Sequence, residues 1–163
     1  SIQSGGQTVE TSHYDSMKWA APPSRFEGGL GNFAGMSASG KAIDYLSQLD
    51  MNAVHEHEIK LNRIITDKIK HLDAIEIIGP EDPTHRGGIC SILMGDLPSH
   101  DLAILLDEAA GVMVRSGQHC VHSWFNARGH QNGSLRASAY FYNTEEDANL
   151  FADTFTEAVE AFG

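Results

Sequence analysis

Arg115-Ser116-Gly117-Gln118-His119-Cys120-Val121-His122 is the stretch on which the reading of this 163-residue chain turns. It follows Val112-Met113-Val114, a β-branched run leaving a glycine at Gly111, so a strand is expected over 112–115. A strand that runs into Ser-Gly and then presents His-Cys-x-His packs poorly, because Gly117, Gln118, His119, His122 and Ser123 cannot all be buried cheaply. It is suited to holding a thiol on a loop at the edge of a sheet. Arg115 and the flanking histidines could each favour the thiolate, the nucleophilic form of cysteine.

Other readings of the same residues stay open. A free cysteine is most often a small buried hydrophobe, and Cys90, which alternates within Ile89–Met94, is expected to be inert core. His119, Cys120 and His122 offer at most three zinc ligands in four residues, and no second Cys/His cluster completes a tetrahedron, so no metal is expected. Arg115 and Arg136 sit at or in strands, where an unpaired charge is costly. They either pair with acids or grip a carboxylate ligand, which the guanidinium fork binds bidentately. No P-loop and no Ser-His-Asp arrangement is present, and Gly28-Gly29-Leu30-Gly31 lacks a strand-to-helix setting.

Working outward, 1–34 are rich in Gly, Ser and Pro, carry Trp19, Phe26 and Phe33, and show no sustained periodicity. Three large aromatics weigh against disorder, so this segment reads as chain that packs on something else, and the sequence as part of a larger protein. From Ala34 the pattern turns helical through Ile43, Leu46 and Leu49. Asn52 is expected to cap a longer helix with Val54, Leu61, Ile65, Ile69 and Leu72 on one face. Short strands follow at Ile75–Ile77 and Ile89–Met94, the latter closed by Gly95-Asp96, with a loop over 81–88 between them. A helix starting at Ser99 or Asp101 runs through Leu102, Leu105 and Leu106 to a C-cap at Gly111. A loop to about Gly133 leads to a strand at Leu135–Ser138. Asn143 with Glu146 forms a capping-box-like start for a last helix with the stripe Phe151, Phe155, Ala158 and Phe162. The order predicts an α+β layer sandwich, a short, mainly antiparallel sheet with helices packed on one face.

Eleven basic against 22 acidic residues give a net charge of −11. That balance argues against nucleic acid and anionic membrane surfaces, and no apolar run is long enough to span a bilayer. Two cysteines without dense spacing suit a reducing, cytoplasmic setting.

The motifs together resemble the cysteine desulfurases of the SUF type (group II), in the class V aminotransferase fold. Arg115 to Cys120 resembles the R-x-G-x-x-C active-site loop, and Arg25-Phe26-Glu27-Gly28-Gly29 the R-F-E-x-G segment. Pro98-x-x-Asp101 with Leu105-Leu106-Asp107 resembles the following helix, and Leu135-Arg136-Ala137-Ser138 through Glu146 the V-R-A-S-x-x-x-Y-N-T-x-E-E block. The resemblance implies an enzyme that splits L-cysteine into alanine and sulfur with pyridoxal 5'-phosphate held on a lysine. The sulfur is carried as a persulfide to an acceptor protein of iron–sulfur assembly. Cys120 is then the nucleophile, Arg136 grips the substrate carboxylate and Arg115 helps to place it. Gln118, His119 and His122 support the loop, and Gly29 approaches the cofactor. The family's Gly-Thr-Pro-Asn is here Gly29-Leu30-Gly31-Asn32, so the threonine hydroxyl that reaches the cofactor phosphate of the neighbouring subunit is replaced by Leu30. Gln118 stands where a histidine is common, and His122-Ser123 replace Gln-Pro. None of Lys18, Lys41, Lys60, Lys68 or Lys70 has the family's Ser-x-His-Lys setting. The chain is therefore expected to be the C-terminal part of a fold-type I enzyme. Residues 1–51 would be a remnant of the large cofactor domain and 52–163 the small domain. Alone it would bind no cofactor covalently and be inactive, and its partners would be the missing N-terminal large domain, a second copy in a homodimer and the sulfur acceptor. A selenocysteine lyase-like enzyme and a non-catalytic small-domain binding module are the alternatives.

Overall fold

The computed structural model describes residues 5–95 and 97–162, with side chains through Ala161. Asp96 and the Phe162 side chain, both named above, lie outside the described residues. The chain divides in sequence between Leu49 and Asp50 into two compact units.

In the first unit, β1 (Val9–Ser12) and β2 (Met17–Trp19) form an antiparallel hairpin, where no regular structure was expected. The turn closes through His13 N–H donating to the Ser16 carbonyl at 2.8 Å, and Lys18 pairs with Glu10 across the strands at 2.8 Å. Thr8 is fully buried, its hydroxyl donating to the Gly5 carbonyl at 2.8 Å. The strands are too short, and too polar at Glu10, Thr11 and Ser12, for alternation to show in the sequence. Helix α1 (Phe33–Leu46) starts where the Asn32 side chain accepts the Gly35 N–H at 2.9 Å. None of its residues is buried, and Phe33, Met36, Ile43 and Tyr45 are exposed.

The second unit holds a four-stranded sheet in the order β3-β4-β6-β5, with every neighbouring pair antiparallel: β3 (Glu76–Ile78), β4 (Ile89–Leu93), β6 (Ser134–Ser138) and β5 (Arg115–Gly117). Side-chain alternation sends Cys90, Ile92, Leu135 and Ala137 to one face. There they meet Leu61, Ile65 and Ile69 of α2 (Met51–Ile69), Leu102 and Leu106 of α3 (Ser99–Ala110), and Phe151, Ala152 and Phe155 of α5 (Glu145–Phe162). This is the expected α+β layer arrangement, and among the described residues the apolar stripes of α2, α3 and α5 follow those read from the sequence, except that Leu72 lies past the end of α2. Gly111 ends α3 in the left-handed region at φ 66°, its N–H donating to the Asp107 carbonyl.

Several boundaries differ, with α1 ending at Leu46 and α2 at Ile69, each short of the apolar run read from the sequence. The cap of α2 is Asp50, whose carboxylate accepts the N–H groups of Asn52 and Ala53, not Asn52 itself. Thr144 and Asp147, not Asn143 and Glu146, form the capping box of α5: Thr144 Oγ1 accepts the Asp147 N–H at 3.2 Å and Asp147 Oδ2 the Thr144 N–H at 2.9 Å. Pairing of β5 begins only at Arg115, opposite Arg136, and is not continued to Val114 although β6 runs on to Ser138. Val112 and Val114 instead pack against the core as irregular chain. The loop after Cys120 also contains an unforeseen helix, α4 (His122–Ala127), anchored by buried Phe125.

Candidate active site around Cys120

The motif strand β5 ends at Gly117, whose backbone runs so close to Gly133 that any side chain at 133 would overlap the Gly117 carbonyl. Gly133 itself sits at φ 69°, so glycine is required there twice over. Beyond this crossing the chain turns back: Val121 N–H donates to the Gln118 carbonyl at 2.8 Å, enclosing His119 at φ 47° and Cys120 at φ 63°. Two positive φ values in the central positions are the signature of a type I′ turn, a backbone usually given to Asn and Gly. Cys120 is exposed at its tip, whereas Cys90 is buried in β4, with burial raising its thiol pKa and Arg86 Nη1 3.6 Å from its sulfur.

Both side chains before the thiol are engaged. Gln118 Nε2 donates to Asn126 Oδ1 at 3.0 Å and to the Gln131 carbonyl at 3.1 Å. His119 Nε2 lies 3.2 Å from the Ser134 carbonyl and 3.0 Å from Ser134 Oγ. A carbonyl only accepts, so Nε2 carries the hydrogen and Nδ1, which is buried without a partner, carries none. Burial lowers the pKa of His119, the Arg136 and Arg115 charges add to that, and only the Ser134 bond opposes them. His119 is therefore neutral near pH 7 and lends the thiol no positive charge, which corrects the expectation that it favours the thiolate. His122 opens α4 and is exposed.

The arginines lie one strand apart in register. Arg115 is the direct cross-strand partner of Arg136, and Ser91 flanks Arg136 on the other side. Like charges directly opposite one another destabilise a sheet. Neither guanidinium forms an ion pair among the described residues, although the sequence has 22 acids, and Arg136 Nε is buried without a partner. Both project from the face opposite the helices, the face on which His119 meets Ser134. Two unpaired cations on adjacent strands make a site for a small anion, and their fork geometry fits a carboxylate. Among the described residues no three His, Cys, Asp or Glu side chains cluster as a metal would require. Gly29 lies in the first unit at φ 92°, next to exposed Leu30.

Sequence reading missed Ser134, Gly133, Asn126 and Gln131, the groups that hold the loop. Gly133-Ser134 just before a strand was the available signal, and it reads equally well as an ordinary turn.

The fold and the loop together define a small α+β domain that presents an exposed cysteine on a tight turn at the edge of its sheet. The chain belongs to the class V aminotransferase family, whose model matches residues 1–151. It is 34% identical over 155 residues to a protein of Methanothermobacter thermautotrophicus described as a probable cysteine desulfurase, covering 94% of this chain and 38% of that protein. A relative of the same description from Chlamydia muridarum is 34% identical over 161 residues, covering 99% and 40%. Among solved structures, the apo cysteine desulfurase of Thermococcus onnurineus is 31% identical with a TM-score of 0.78, over 96% of this chain and 38% of that one. A cysteine desulfurase of Escherichia coli, 24% identical at a TM-score of 0.79 over 98% and 39%, shares the fold. The chain thus spans about two fifths of the length of the relatives it matches.

Proposed function

We propose that this chain is the C-terminal part of a SUF-type cysteine desulfurase, in which Cys120 takes sulfur from L-cysteine and passes it to an acceptor protein for iron–sulfur cluster assembly. The observation that carries the reading is the unpaired cross-strand pair Arg115–Arg136 on the sheet face to which the Cys120 turn is tied. Arg136, half-buried, grips the substrate carboxylate, and Arg115 helps to align it. The Cys120 sulfur attacks the substrate sulfur, so an S–S bond forms and the substrate C–S bond breaks. The bonding pair stays on carbon, which is protonated to give alanine, and the thiol becomes a persulfide.

The family implies pyridoxal phosphate, and the lysines of this chain do not fit its covalent attachment. All five form ion pairs: Lys18 with Glu10, Lys41 with Asp44, Lys60 with Glu145, Lys68 with Asp153 and Lys70 with Asp67. Each side chain therefore lies against a carboxylate on an exposed or partly exposed surface, not in an enclosed pocket that could hold a cofactor ring. The reading assigns the lysine and cofactor cradle to a preceding large domain, of which 1–51 would be the end, in a cytoplasmic homodimer.

The test is sulfur transfer in the full-length polypeptide carrying this sequence, supplied with pyridoxal phosphate and L-cysteine. Peptide mapping should find one added sulfur on Cys120 and none on Cys90. Cys120→Ser should abolish persulfide and alanine, since a serine hydroxyl stays protonated near neutral pH. Arg136→Ala should weaken cysteine binding by roughly 2–5 kcal/mol while leaving the thiol alkylatable. Normal sulfur release by Cys120→Ser overturns the reading. Loss of cysteine turnover with selenocysteine turnover retained favours a selenocysteine lyase.

A further inference from the structure

We propose that His119 and Gln118 are positioning residues for Cys120, clamping a strained left-handed turn so that an exposed thiol stays in fixed register with Arg136. The proposal rests on the reading of Cys120 as sulfur carrier and concerns how that thiol is aimed.

Cys120 contributes no side-chain hydrogen bond among the described residues, so nothing on the thiol itself sets its position. Its turn is unfavourable: His119 and Cys120 both occupy the left-handed region, which L-residues with a Cβ avoid and which persists only where surrounding structure over-determines it. The surroundings supply that constraint on two sides. Gln118 is tied to α4 and to the loop behind it through Asn126 and Gln131. His119 is tied to Ser134, a fully buried residue of β6, and its ring lies 6.2 Å from that of Phe125, the buried anchor of α4. Ser134 is two residues from Arg136 on the same strand and faces the same side of the sheet. The His119 bond therefore connects the turn that carries the thiol to the strand that carries the carboxylate grip. Without it the central residues relax toward negative φ, and the thiol swings out of register while remaining exposed. Uncharged His119 suits this role, because a protonated ring would place a third cation beside Arg115 and Arg136.

Two alkylating reagents of similar size read the aim of the thiol. Iodoacetate carries a carboxylate and iodoacetamide does not, so their rate ratio at Cys120 reports whether the thiol shares a site with the arginines; comparing variants cancels intrinsic reactivity. In the 163-residue chain, His119→Phe keeps the ring and removes the donor, and the ratio should fall about fivefold, equivalent to about 1 kcal/mol. His119→Asn tolerates the left-handed backbone and restores an N–H, so it should recover most of the ratio. Gln118→Met should shift the ratio the same way by about twofold, and serves if His119→Phe does not fold. The strong intraresidue amide–Hα cross-peaks that positive φ gives at 119 and 120 should vanish in His119→Phe and return in His119→Asn. A ratio and cross-peaks unchanged in His119→Phe and Gln118→Met overturn the proposal. If Arg136→Ala leaves the ratio unchanged, the carboxylate grip fails instead, and the cross-peaks alone then decide the clamp.

Discussion

At Gly133 the site depends on the absence of an atom. Any Cβ there overlaps the Gly117 carbonyl, and the residue stands at φ 69°. Gly133→Ala is therefore wrong in both space and backbone, and the neighbour it meets is main chain, which cannot rotate away. We expect a loss of roughly 3 kcal/mol or more in urea unfolding, with alkylation of Cys120 altered under native conditions. A loss below about 1 kcal/mol would mean that the crossing opens without harm. This requirement was hidden in the sequence because a glycine between Asn132 and Ser134 looks like any loop glycine. Cys120, Arg115 and Arg136 were picked out as candidates through their motif spacing. The type I′ backbone under Cys120 was not, since His-Cys replaces the Asn-Gly that would have announced it. The charge of His119 was hidden for a related reason: it depends on burial and on two arginines, one of them distant in sequence.

Helices and strands were legible wherever an apolar stripe was long. Leu61, Ile65 and Ile69 repeat along α2, and Phe151, Phe155 and Ala158 along α5, with enough turns to fix the period. The ends were harder, because Asp50 and Asn52 are both good capping residues and only the backbone shows which one folds back. Asp50 does, accepting the N–H groups of Asn52 and Ala53. Asp50→Ala should cost about 1 kcal/mol in thermal or urea unfolding, whereas Asn52→Ala, inside the first turn and exposed, should stay within about 0.5 kcal/mol. The reverse order would return the cap to Asn52. Helix α4 escaped notice because six residues carry less than two turns of pattern.

Over the whole molecule, apolar burial is distributed unequally. Every residue of the hydrophobic core cluster lies between Leu61 and Val159, in the second unit. The first unit buries Thr8 and none of α1, although α1 carries Phe33, Met36, Ile43 and Tyr45. A 14-residue helix with no buried face has only its own hydrogen bonds and cap to hold it, and isolated helices of that length are marginal in water. The β1–β2 pair is in the same position, since a lone two-stranded hairpin is also marginal. Amide exchange should therefore separate the halves. Core amides of α2 and α5 should open only with global unfolding, which for a domain of this size sits about 5–15 kcal/mol above the native state. Amides of α1 should exchange through local opening, faster by several orders of magnitude in the same 163-residue sample. Mass-resolved exchange at fixed pH measures this directly. Equal protection in α1 and α2 would show that the exposed side chains of α1 are covered in solution, and that the first unit draws its stability from something other than its own packing.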